Sequence, residues 1–187
     1  MDLAFDFFKC FHDELSKEIK RALQSEVLTH HAKDRRMGYV LNKIFQESTM
    51  RYFGLLAFYA SGKRNTMFQT EVSIGNSGPI DFVFSEDESR YAFELKRWQT
   101  KKEENEILEK DMENLKLFMN KTGTRTAFEI IFTVNDHSDL ENPDQTYYED
   151  SFKKTFGSQF HLLDDVKVDS FCAFTTCLYL AQPRVEG

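Results

Sequence analysis

Two carboxylates and an ammonium fall close together in this chain, at spacings that suit metal-assisted hydrolysis. Asp81 lies in the apolar run Pro79-Ile80-Asp81-Phe82-Val83-Phe84, and thirteen residues later Glu94 and Lys96 close the run Tyr91-Ala92-Phe93-Glu94-Leu95-Lys96. Both runs are rich in β-branched and aromatic residues and too short for helices. The polar cluster Ser85 to Arg90 between them reads as the turn of a hairpin. Side chains alternate faces along a strand, so Glu94 and Lys96 project together with Leu95 opposite. Antiparallel pairing would then bring Asp81, near the start of one strand, close to Glu94 and Lys96 near the end of the other. Two carboxylates so placed repel, more so when buried, and either one takes up a proton or a cation moves in. Mg²⁺ suits such a site, since it takes one or two carboxylates and completes its shell with water and phosphate oxygens. A lysine there is a poor ligand but a good partner for a phosphate or for the attacking water. The plainer alternative is an ordinary hairpin with a solvated Glu94–Lys96 pair, which would contribute about 0–1 kcal/mol.

The elements around this stretch must position it. Residues 3–28 place Phe7, Phe8, Phe11, Leu15, Ile19, Ala22 and Leu23 on one helical face, and a second helix is expected from Met37 to Tyr59 with Val40, Leu41, Ile44, Phe45, Tyr52, Leu55, Leu56 and Tyr59 as its apolar positions. Gly62 marks its end. The basic segment Thr29 to Arg36 between the helices reads as a solvated connector or a phosphate-contacting loop, and adjacent His30 and His31 do not suit a metal site. Residues 67–74 form a strand candidate, so that 67–74, 79–84 and 91–97 make a three-stranded meander. A charged helix follows over 100–120, opened by the capping-box spacing Thr100/Glu103 and turning Ile107, Leu108, Met112, Leu115, Phe118 and Met119 inward. Asp111 and Asn114 are polar positions on it that could face substrate. The run 126–134 is a buried strand, expected parallel to the Glu94 strand. Beyond it come an acidic loop over 135–145, a short helix over 147–156, an apolar run 160–163, and 171–180, which fits a strand or a buried helix. A loose tail is expected over 182–187.

Composition bounds the class. A chain of 187 residues with nineteen Phe and seven Tyr suits a single domain with a substantial core. No run approaches the roughly 20 apolar residues of a membrane span, and Met1-Asp2-Leu3 lacks a basic signal-peptide start. Three Cys without metal-type spacing read as free thiols, which implies a cytoplasmic protein. The net charge of −7 argues against a passive DNA-coating protein, although residues 1–70 hold 11 Lys and Arg against 8 Asp and Glu.

The pattern Pro79-Ile80-Asp81 followed by Glu94-Leu95-Lys96 resembles the PD-(D/E)XK nuclease superfamily, with Ile80 inserted between the proline and the aspartate. The helix–meander–helix–strand order over about residues 37–134 resembles the αβββαβ core of the restriction-endonuclease-like fold: an α/β domain with a mixed sheet flanked by helices and, here, an extra N-terminal helix. The resemblance implies a Mg²⁺-dependent nuclease acting on DNA, with Mn²⁺ able to substitute. Asp81 and Glu94 would bind the metal, Lys96 would serve the attacking water, and Glu47 would be a further acidic ligand. Glu26 and Glu71 are alternatives for that last role, and Glu47 could instead simply pair with Lys43 or Arg51 four positions away. Arg97, Lys101 and Lys102 would hold the phosphate backbone. A homodimer is compatible with the sequence. The competing readings are a catalytically idle member of the same fold that binds nucleic acid or a protein, and a different metal hydrolase.

Overall fold

The computed structural model describes residues 2–24, 46–62, 67–73, 75, 78–86, 89–97, 102–123, 126–136, 154, 160–171 and 174–183. Three helices and six strands occur among them, in the order α1 (Asp2–Gln24), α2 (Glu47–Ala60), β1 (Met67–Ser73), β2 (Pro79–Glu86), β3 (Ser89–Arg97), α3 (Lys102–Thr122), β4 (Ala127–Asp136), β5 (Phe160–Phe171) and β6 (Phe174–Pro183). The strands form one mixed sheet in the order β1-β2-β3-β4-β6-β5. β1, β2 and β3 are an antiparallel meander; β4 runs parallel to β3 after the α3 crossover; β6 returns antiparallel to β4 and pairs with β5 at the far edge. This is an α/β fold with helices on both faces.

Alternation along the strands builds two cores. On one face Phe82, Phe84, Phe93, Leu95, Phe128, Ile130 and Phe132 meet Phe7, Phe8, Phe11 and Leu15 of α1 and Met50, Phe53 and Ala57 of α2. The Phe7 ring contacts Phe84 with centroids 4.6 Å apart and Phe93 at 4.9 Å, pairings that add about 0.5–1.5 kcal/mol each beyond burial. On the other face Val83, Ala92 and Ala127 are covered by Leu115, Phe118 and Met119 of α3. Small residues on the strands there let α3 lie close.

α2 departs from expectation at both its start and its buried face. Gln46 is extended (φ −79°, ψ 163°) and caps a helix that begins at Glu47, so no continuous helix runs through from Met37. The buried positions are Met50, Phe53, Gly54 and Ala57, whereas Tyr52 and Tyr59 are exposed. The i, i+3, i+4, i+7 spacing of the buried set outweighs residue size. Gly54 lies in that set because α2 rests on the Phe82 ring: a methyl carbon at this position would overlap the ring's far edge. Past Ala60, Gly62 takes φ 69° and its N–H bonds the Tyr59 carbonyl, the left-handed stop expected of a glycine there.

Several boundaries also move. β2 and β3 run to Glu86 and from Ser89, so polar residues expected in the turn belong to the ladder. β4 continues through Asn135 and Asp136, which pair with Thr175 and Phe174. The run 171–180 is a strand for most of its length, and Gln182 and Pro183, expected in a loose tail, pair with His161 and Phe160. Residues 25–45, the Thr100 cap, 137–145 and 184–187 lie outside the described residues, and of the short helix expected over 147–156 only Lys154 is described, in helical conformation. Among the described residues no helix is long and apolar enough to cross a membrane.

Candidate functional site

β2 and β3 stop pairing one step short of Asp81 and Glu94. The ladder runs from Glu86↔Ser89 to Phe82↔Phe93. One step further, at Asp81 and Glu94, side chains take over from the backbone. Asp81 Oδ2 accepts the Leu95 N–H at 2.8 Å, and the Asp81 N–H donates to Glu94 Oε2 at 3.3 Å. Each acid thus satisfies a main-chain group that the diverging strands would leave unpaired. Both residues are only 4 % exposed.

Two helices from opposite layers reach this point. Lys96, two residues beyond Glu94 and on the same face, places its Nζ 2.9 Å from Glu47 Oε1 of α2 and 3.2 Å from Asp111 Oδ2 of α3. One turn along α2 from Glu47, Arg51 donates from Nε to Asp81 Oδ1 at 2.5 Å and from Nη1 to Glu71 Oε1 at 2.7 Å. Glu71 is exposed on edge strand β1 with φ 53°, and Glu71 and Asp81 are skipped in an otherwise regular β1–β2 register.

A third carboxylate extends the row. Glu94 on β3 is the register partner of Glu129 on β4, and Glu129 is fully buried with neither carboxylate oxygen hydrogen-bonded; Glu94 Oε1 is likewise without a partner. Burial, then the charges of Asp81, Glu129 and Asp111, push Glu94 up to about 11. Burial, then Asp111, raises Glu129 well above the ordinary carboxylate value. Asp111 is also raised by burial, though the Lys96 ammonium works against the shift. For Lys96 burial disfavours the charge, but the Glu47 hydrogen bond and the charges of Asp111 and Glu47 outweigh it and hold the ammonium above its ordinary value. At neutral pH Glu94 therefore holds a proton that a cation would displace.

Of the residues expected in the site, Asp81, Glu94, Lys96 and Glu47 are brought together. Glu47 turns to Lys96, while Arg51, expected at most as its helical partner, turns to Asp81 and Glu71. Asp111, expected to face substrate, sits on Lys96 instead, and the Asn114 amide lies against Gly78 ahead of β2. Arg97 is half-buried at the end of β3. Lys101, the side chain of Lys102, and Glu26, His30 and His31 lie outside the described residues. Glu129 was not anticipated, although an acid inside the apolar run Phe128 to Phe132 of a two-sided buried strand was a signal for it.

The donor set suits a hard divalent cation. Carboxylate oxygens approach from neighbouring strands, three of them buried without a donor, where positive charge would relieve repulsion. Among the described residues no group of three or more His, Cys, Asp or Glu is gathered into a ready-made cage; Mg²⁺ ordinarily needs only one or two carboxylates and fills its shell with water and phosphate. Comparison with protein-family models, curated proteins and solved structures gives no match to this chain.

Proposed function

We propose that this chain is a metal-dependent nuclease of the PD-(D/E)XK type, hydrolysing phosphodiester bonds in DNA. The observation that carries the reading is the junction of Asp81 and Glu94 at the splay of β2 and β3, with the Lys96 ammonium two residues away and steadied by Glu47 and Asp111. The order α2-β1-β2-β3-α3-β4, with an antiparallel meander and a parallel β4, is also the order that the αβββαβ core of the restriction-endonuclease-like fold requires.

Asp81 and Glu94 would hold Mg²⁺ or Mn²⁺, which when bound polarises a phosphoryl oxygen and lowers the pKa of water. Lys96 keeps a full positive charge and presents N–H donors to a phosphate oxygen or to the attacking water. Glu47 and Asp111 fix that ammonium in place, so little ordering is left to do when substrate arrives. In the hydrolysis the water oxygen forms the new bond to phosphorus, the bond to the leaving oxygen breaks, and one water proton leaves the nucleophile while the leaving oxygen gains one. Arg97, Lys101 and Lys102 follow the site in sequence and would hold neighbouring phosphates.

A second reading, a catalytically idle module of the same architecture, draws on Arg51 already neutralising Asp81. The orphaned oxygens of Glu94 and Glu129 weigh against it, because a pure binding module gains nothing from buried acids without partners. Incubating the purified protein with plasmid, linear duplex and single-stranded DNA in Mg²⁺, Mn²⁺ or EDTA separates the two. Cleavage that appears only with divalent cation supports the nuclease; none with any cation or substrate supports the binding module.

A further inference from the structure

Arg51 occupies a position that the nuclease reading leaves unexplained. Its Nε lies 2.5 Å from Asp81 Oδ1, an oxygen that a divalent cation at Asp81 and Glu94 would approach, and its Nη1 is tethered to Glu71 at the surface. The side chain is 36 % exposed while the Asp81 side chain is 5 % exposed. The guanidinium therefore spans from the solvent edge to the buried acid. Its backbone position is fixed by α2, whose Met50 and Phe53 on either side of it are buried in the core, so the side chain can swing while its root stays still.

We infer that Arg51 is an internal stand-in for the cation, which leaves Asp81 when a divalent ion binds and then contacts the phosphate of the substrate. The inference rests on the nuclease reading of the same site. Two positive groups cannot share one carboxylate oxygen at close range, because a divalent ion a few ångströms from a guanidinium repels it. Displaced from Asp81, Arg51 would remain paired with Glu71 at the edge of the site. A planar guanidinium suits a phosphate through paired N–H···O bonds, as a lysine there would not. Metal binding and substrate binding are then linked through one side chain: the cation frees Arg51, and Arg51 adds a phosphate contact that exists only when the cation is present.

The test is a split in sign. Arg51→Gln removes the competing charge and keeps much of the chain length. Titration with Mn²⁺ alone, followed by electron paramagnetic resonance, should show tighter binding in the variant, on the order of tenfold. Affinity for a short DNA duplex should match wild type in EDTA, where Arg51 is held on Asp81, yet fall below it in Ca²⁺. In the wild-type protein, Mg²⁺ should also shift the Arg51 Nε–H resonance, assigned by its loss in the variant; this reading does not depend on how well the variant folds. Mn²⁺ affinity that is unchanged or weaker in Arg51→Gln, together with an Arg51 resonance unmoved by Mg²⁺, overturns the inference and leaves the nuclease reading standing. Wild-type protein that binds no Mn²⁺ at millimolar levels overturns both.

Discussion

Glu94 on β3 and Glu129 on β4 are register neighbours across a parallel pair of strands, and three of their four carboxyl oxygens meet no donor. With Asp81 beyond Glu94, the row of acids crosses three adjacent strands in the middle of the sheet. Acids so arranged make the metal-free fold sensitive to pH and to charge removal.

Glu129→Leu should stabilise the protein in EDTA. Burial raises Glu129 above its ordinary value of 4.5, so the native state holds a proton that the unfolded chain releases. Below that value both states are protonated and the two proteins should differ little. Above it wild type loses stability relative to the variant, by at most about 1.4 kcal/mol per pH unit. Thermal melts between about pH 5 and pH 8 should show the variant's advantage widening with pH. An advantage that stays level between pH 5 and pH 8 would mean Glu129 is already ionised and compensated in the native state.

Glu94→Gln and Lys96→Ala should each abolish divalent-dependent cleavage while circular dichroism stays native. Gln retains an oxygen for the Asp81 N–H that Glu94 accepts, and Lys96→Ala shortens a side chain at the end of β3 without opening the phenylalanine core. Loss of a metal ligand or of the ammonium should cost orders of magnitude in rate. Wild-type rates in both variants would place the chemistry elsewhere.

Asp81→Asn tests cation binding without substrate. The amide oxygen can still accept the Leu95 N–H, but the charge is gone. Wild type should gain about 2.7 kcal/mol at a cation concentration a hundredfold above Kd, a rise of about 2–4 °C per kcal/mol for a domain of this size. The variant should gain much less from Mg²⁺ or Mn²⁺. Melting curves of wild type that stay unmoved up to millimolar divalent ion would favour the idle binding module.

What could be read from the sequence was whatever depends on local pattern. The Phe7, Phe8, Phe11, Leu15 stripe, the three meander strands and the parallel β4 follow from apolar periodicity and turn chemistry, and the strand parity of Glu94 and Lys96 puts them on one face. Glu47 entered through the family resemblance, with Glu26 and Glu71 as alternatives, and the structure brings it to Lys96. Partner choice could not be read this way. Whether Glu47 meets Arg51 along its own helix or Lys96 across the layer depends on how α2 lies on the sheet, which no helical spacing encodes. The same holds for Arg51 on Asp81 and Asp111 on Lys96, contacts between elements far apart in sequence. Tyr52 and Tyr59 lie on the exposed side because the angle at which the helix meets its neighbours, rather than size or hydrophobicity, decides which positions are buried.

Gly54 sets that angle, and it does so by what it lacks. Phe82 cannot retreat from an added methyl group, because its ring is fully buried and stacked on Phe68 with centroids 5.4 Å apart. Gly54→Ala would therefore push the helix outward, with Glu47 and Arg51 carried along as two teeth on one comb. Lys96 would be left with Asp111 alone and Asp81 with the Leu95 N–H alone, although no ionisable group had been changed. A fall in cleavage far larger than the fall in melting temperature, with both charge pairs loosened at once, is the expected result. The spacing between two oppositely charged pairs in this site is thus held by a hydrogen atom where nearly every other residue would present a carbon.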